Sequence, residues 1–263
     1  MAAPQLTRWL SACLVSLTGL AQAAGYVDLP GGVLRTALPT DGPTVTVATF
    51  SLRQQPVTNA QFALFLARHP QWRRDQVARL FAGERYLANW PDPAHYPAGA
   101  AQAPVIDVSW YAARAYCASE NARLPSWYEW EFAAAANATR PDARDDPAWR
   151  AHILEWYAHP ANAPLANVGQ DQPDVYGVYD LHGLIWEWVE DYNGLFVTAD
   201  SRSQGQQGLL EACGAAALSL GDRDNYAVLM RIALLSSLKG PDALPSLGFR
   251  CARDIKEPPH DLP

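Results

Sequence analysis

The stretch YGVYDLHGLIWEWVED, residues 176–191, constrains the fold more than any other. Trp186 and Trp188 bracket Glu187, and Asp180, Glu190 and Asp191 lie close by. Indole rings bury large apolar areas provided each N–H finds an acceptor. A carboxylate among them is buried only with hydrogen bonds or a counter-charge. Trp186 and Trp188 share one face of an expected strand, and Glu187 points to the other. Glu187 therefore reads as a structural hydrogen-bond acceptor or a cation ligand rather than a catalyst. His182 reads as structural too, because no second His or Cys stands at metal-ligand spacing from it.

The chain of 263 residues suits one large domain or two small ones, with enough length for a sizeable core. Its 21 prolines and 17 glycines predict much irregular structure. The formal charge is −7 and Lys and Arg form no cluster, which argues against nucleic acid as a partner.

Residues 1–23 read as a secretory signal peptide: Arg8, an apolar run from Trp9 to Leu20, then Ala21-Gln22-Ala23 before the cleavage point. That run is too short to span a bilayer. The mature domain is expected to cover 24–263, to lose only Arg8 among its charges and so to carry −8, and to be periplasmic or secreted. Disulfides persist in such a compartment. Three cysteines remain, Cys117, Cys213 and Cys251, and an odd number leaves at least one without an intramolecular partner.

Along the chain, residues 31–58 alternate like short strands, with turns at Gly31-Gly32 and Asp41-Gly42-Pro43. Thr58 with Gln61 forms a capping box for a helix that ends near Pro70. Ser109 caps a second helix bearing Cys117, and Ser126 with Glu129 caps a third. Residues 84–104 and 137–175 are expected to be irregular, and LGFRCARD to be a final strand. Short helices among strands and long loops predict an α+β class.

Four blocks in order, PVTNAQFALF, PVIDVSWYAARAYCASENARLPSWYEWEFAAAA, YGVYDLHGLIWEWVED and LGFRCARD, resemble the formylglycine-generating enzyme or sulfatase-modifying factor family. The resemblance covers roughly residues 30–254. It implies a single compact α+β domain related to the C-type lectin fold, with little regular secondary structure, and a disulfide between Cys117 and Cys251.

The resemblance also implies chemistry. Family oxidases bind copper(I) with a cysteine pair, as soft thiolates suit that ion, and oxygen converts a substrate cysteine to formylglycine. Arg231 matches the family arginine by its distance to Cys251, but Asn225, Tyr226 and Ala227 stand before it with no cysteine. Cys213 is the remaining candidate ligand or reactive thiol, with Met230 as a helper. Family members often bind calcium near the aromatic block through an Asn that follows the glycine. Here Leu184 follows Gly183 and supplies no side-chain oxygen. The calcium candidates are then Glu187, Asn162 and Asn167. Two functions follow as expectations: a copper- and oxygen-dependent oxidoreductase acting on a polypeptide or peptide-derived substrate, or a non-catalytic accessory protein that helps mature an exported metalloenzyme such as a copper nitrite reductase.

Overall fold

The computed structural model describes residues 25–36, 38, 44–157, 165–195 and 226–255. The expected signal segment, Asn162 and Cys213 lie outside the described residues.

Strands β1 (Tyr26–Leu29) and β4 (Phe50–Arg53) pair antiparallel, and β4 also pairs with β7 (Ala252–Asp254), which gives a three-stranded sheet in the order β1-β4-β7. Between β1 and β4 a second antiparallel pair, β2 (Gly32–Arg35) and β3 (Thr44–Val47), forms its own small sheet. The turn into β2 uses Gly31 at φ +64°, where an added Cβ would sit 2.3 Å from the Val47 carbonyl oxygen, so only glycine fits.

The three capped helices form where the caps predict them. Helix α1 (Asn59–Arg68) starts at Thr58, whose side chain accepts from the Gln61 N–H while Gln61 returns the bond. Ser109 caps α2 (Trp110–Ser119), and Ser126 with Glu129 forms the capping box of α3 (Trp127–Ala134). Two further helices correct the sequence reading. Residues 137–175 are not all loop, because α4 spans Pro147–Tyr157, and α5 spans Tyr226–Ser236. Pro147 at the first position of α4 suits a helix start, since its missing N–H would have no partner there.

The expected strands at the two later blocks are shorter than their sequence suggests. β5 is Trp186–Glu187 alone, paired in parallel with β6, Leu247–Gly248. LGFRCARD breaks into β6 and β7, because Phe249, Arg250 and Cys251 turn inward between them.

The core is aromatic. Phe62 stacks on Tyr116 at 5.9 Å and meets Trp90 and Phe249 edge-on. Buried indoles find their acceptors: Trp90 on Asn59 Oδ1, Trp127 on Glu131, Trp130 on Glu187, Trp188 on the Val108 carbonyl, each within 3.0 Å. Half-buried Trp110 donates to the Val189 carbonyl.

The Cys117–Cys251 disulfide is present, with the two Cα atoms 5.5 Å apart and a separation of 134 positions in sequence. It ties α2 to the edge of β7 in a fully buried setting. No helix among the described residues is long and apolar enough to cross a membrane.

Candidate functional site

Two neighbouring places concentrate polar groups. The first answers what Glu187 does. Both its oxygens are taken: Arg250 donates Nε and Nη2 to the carboxylate at 2.8–3.0 Å, and the Trp130 indole donates at 3.0 Å. The rest of the guanidinium is satisfied as well, Nη1 by the carbonyls of Arg53 and Gln54, Nη2 by that of Tyr179. Glu187 and Arg250 are both fully buried. For Glu187, expected as a structural acceptor or a calcium ligand, the described structure places a guanidinium against both oxygens. Arg250 escaped the sequence reading, although an arginine between Phe249 and Cys251 in an apolar run calls for a buried carboxylate partner.

Arg231 packs on the same assembly. It is 2% exposed, its guanidinium carbon lies 3.5 Å from the centre of the Trp130 ring, and Nη2 donates to the Glu187 carbonyl. In the described structure Arg231 braces the aromatic block instead of facing solvent. Met230, its neighbour on α5, is exposed, so the two side chains do not share a site.

The second place is a cleft of about 320 Å³ lined by segments from three parts of the chain. Residues 136–139 follow α3, Trp149 and His152 lie on α4, and Asp171, Asp174, Asp180 and His182 come from the run leading into the aromatic block. Backbone bonds fix the walls: Val175 N–H donates to the Asn137 carbonyl at 2.9 Å, and Gly169 N–H donates to Asp180 Oδ2 at 2.6 Å.

The titratable groups here are set by burial. His182 Nε2 stands 2.9 Å from the Ala134 carbonyl. A carbonyl only accepts, so Nε2 carries the proton. Burial pushes the His182 pKa down to about 4, and the ring is neutral at pH 7. Asp180 sits at φ +60°, and burial pushes its carboxyl up. Asp174 Oδ1 accepts from Tyr176 N–H and Val178 N–H at 2.8 and 2.9 Å; burial raises this carboxyl as well, against those bonds. Two buried atoms at this cleft have no hydrogen-bond partner, Asp174 Oδ2 and the Trp149 indole Nε1.

Among the described residues neither expected metal finds its set of ligands. Copper(I) in the family's manner needs a pair of thiolates. Cys117 and Cys251 are joined to each other, and positions 225–227 hold no sulfur. Calcium needs six to eight oxygens. Glu187 is committed to Arg250, Leu184 offers none, and Asn167 is an exposed single side chain. Among the described residues no three His, Cys, Asp or Glu side chains are arranged to hold a metal ion.

The arrangement of short helices, small sheets and a buried aromatic-acidic block defines a single domain of the formylglycine-generating-enzyme fold, related to the C-type lectins. The solved structure described as the crystal structure of CarF shares the fold: TM-score 0.50 at 17% identity, over 89% of this chain and 99% of that one. The family model for the sulfatase-modifying factor enzyme 1-like domain matches residues 16–255, and the chain belongs to that family. It is similar to a mouse protein named inactive C-alpha-formylglycine-generating enzyme 2, with 29% identity over 98% of this chain and 95% of the relative. It is likewise similar to a formylglycine-generating enzyme of Streptomyces coelicolor, with 28% identity over 88% and 89%.

Proposed function

We propose that this chain is an exported, non-catalytic binding protein of the formylglycine-generating enzyme family, accessory to the maturation of an exported metalloenzyme. One observation carries the first part. The Cys117–Cys251 disulfide consumes two of the three cysteines beyond residue 23 and leaves Cys213 as the single thiol of the mature chain. A single thiolate does not reproduce a two-cysteine copper(I) centre. The burial of Arg231 against Trp130 adds support, since it assigns that arginine a packing role. Relatives bearing both the active and the inactive name lie at similar identity, so the family alone does not decide between them.

Export rests on the first 23 residues, and a mature mass beginning near Ala24 from a periplasmic preparation would support it. Catalysis is tested directly. Purified mature protein is titrated anaerobically with copper(I), then exposed to oxygen with a cysteine-bearing peptide, and the peptide is weighed by mass spectrometry. The binding reading expects no formylglycine product and no stoichiometric copper that depends on Cys213. Turnover that disappears in Cys213→Ser would restore the oxidase.

A further inference from the structure

We propose that the turn at residues 78–82 docks the protein reversibly on an anionic lipid surface, with Leu80 and Phe81 entering the interface and Arg79 meeting headgroup phosphates. The inference goes beyond the non-catalytic reading above and does not rest on it.

Charge gives the first argument. The whole chain carries −7, yet residues 68–85 hold five arginines, Arg68, Arg73, Arg74, Arg79 and Arg85, against Asp75 and Glu84. This corrects the reading that Lys and Arg form no cluster. Asp75 is taken by Arg73, through Nε and Nη2 at 3.1 and 3.2 Å. Arg74 donates to the carbonyls of Leu87 and Trp90 and so keeps its charge. Arg68 and Arg79 are exposed and make no side-chain hydrogen bond or ion pair among the described residues. A basic segment of this kind is attracted to anionic headgroups.

The apolar tip gives the second. Leu80 is 71% exposed and Phe81 41%, and they are the one pair adjacent in sequence among the large exposed hydrophobics of the described residues. Single apolar residues scattered over a surface need no explanation, but a contiguous group marks a contact. Here the group continues through half-buried aromatics. Phe81 meets Trp72 edge-on at 6.1 Å and Tyr111 at 5.3 Å, and Tyr111 meets Trp110 at 5.3 Å. Trp and Tyr are the side chains that settle at the boundary between lipid and water.

Shape is the third argument, and it favours lipid over a polypeptide. Ala78, Arg79, Leu80 and Phe81 are exposed in succession, and the Phe81 N–H closes the turn on the Ala78 carbonyl at 2.8 Å. Behind them Ala82 is buried, and the Gly83 N–H donates to the Pro241 carbonyl at 2.8 Å. The tip therefore projects from a fixed base. A fluid lipid interface accepts a projecting apolar tip without a matching pocket, whereas a polypeptide partner must supply one. Apolar burial combined with basic flanks is how peripheral proteins hold to anionic membranes.

The test is co-sedimentation of the mature protein with two kinds of vesicle, pure phosphatidylcholine and equal parts phosphatidylcholine and phosphatidylglycerol. Binding should be seen on the anionic vesicles, and raised salt should weaken it. Leu80→Ser, and Arg68→Gln combined with Arg79→Gln, should each weaken it by roughly fivefold or more. All three positions are exposed, which spares the fold. Val33→Ser, 73% exposed on β2 and outside the turn, should bind as the wild type does. Equal binding to pure phosphatidylcholine would overturn the anionic headgroup. Wild-type binding by both turn variants, or a loss in Val33→Ser equal to that in Leu80→Ser, would overturn the turn as the site. No binding to either vesicle would overturn lipid docking and leave the patch to an acidic polypeptide. None of these results bears on copper or turnover, so this inference and the non-catalytic reading fail separately.

Discussion

Glu187 and Asp174 are carboxylates thirteen positions apart in one continuous run, yet their surroundings are opposite. Around Glu187 the described hydrogen-bonding groups are matched: a guanidinium spreads over both oxygens, an indole adds a third donor, and backbone carbonyls absorb the rest of the arginine. Around Asp174 one oxygen is matched by two backbone N–H groups and the other by none. The first arrangement is what a buried charge needs to be tolerated in a fold. The second leaves one buried oxygen without a partner beside a cleft. The same aromatic-acidic block thus holds the fold together at one end and opens a cleft at the other.

The sharpest way to break the comparison is to remove one member of the matched pair. Glu187→Ala leaves Arg250 charged and fully buried, and the expected loss is about 3–5 kcal/mol in denaturant unfolding. Asp174→Ala should cost far less. If the two variants proved equally destabilising, the distinction between scaffold and cleft would fall.

The next effect tests the scaffold from another side. Reducing the covalent tie through Cys117→Ser should cost about 2–5 kcal/mol, since the bridge closes a loop of more than a hundred residues. Cys251→Ser should match it, and the double variant should be little worse than either single one. Non-reducing peptide mapping that joins Cys213 to either cysteine would refute the pairing in solution.

His182 stands between the two regions, and its effect depends on pH. Its folded pKa of about 4 is below the ordinary 6.5. Above pH 6.5 the ring is neutral in both states. Between about 6.5 and 4 the unfolded chain takes up a proton that the folded chain refuses, so stability falls as the pH drops through that window. The full effect is about 3 kcal/mol. Arg231 and His152 oppose the imidazolium and Glu187 favours it, with burial outweighing all three. Asp174, Asp180 and Asp191 have raised pKa values and slope the other way, since their protonation favours the fold. The measurement is therefore a difference: wild type minus His182→Gln, by thermal unfolding from pH 7 to 4. A flat difference would mean that His182 is solvated.

Local chemistry decided which parts were legible in the sequence. Helices α1 to α3 declare themselves through Thr58, Ser109 and Ser126, because a cap is a contact between neighbours in sequence. Helix α4 sits inside a Pro-, Asn- and Asp-rich stretch where its start signal, Asp146 before Pro147, resembles the turn residues around it, and Asn225 before Tyr226, a residue type that caps helices, is equally hidden by the Asp and Asn residues that precede α5. The scaffold role of Glu187 follows from its aromatic flanks, but its partner Arg250 comes from 63 residues away. The cleft is less legible still. Trp149 and Asp174 read as unremarkable loop residues until α4 and the run beginning at Asp171 meet. Cys213, on which the oxidase expectation turned, lies outside the described residues.

The smallest effect sharpens the comparison most finely. Asp180 belongs to the cleft, is 8% exposed, and accepts from the Gly169 N–H. Its backbone is left-handed at φ +60°, a region that Asn tolerates at least as well as Asp. Asp180→Asn keeps an acceptor oxygen, the backbone and the volume, and removes only the charge. Burial is the largest influence on this carboxyl and raises its pKa, with Glu187 and Asp171 adding repulsion and Arg250 opposing it. A raised carboxyl pKa means that the fold disfavours the charged form. Above the folded pKa the wild type bears that cost, and the variant does not. Asp180→Asn should therefore raise stability at pH 7 by up to about 1 kcal/mol. The gain should shrink on acidification, as the wild-type carboxyl takes up its own proton. Glu187→Gln, the same chemical change at the matched site, should instead cost stability at pH 7, because it strips the charge from Arg250's partner. Chemical denaturation of both variants at pH 7 and pH 4 supplies the four numbers. A loss at Asp180 comparable to that at Glu187 would place Asp180 in the scaffold and confine the cleft's open chemistry to Asp171 and Asp174.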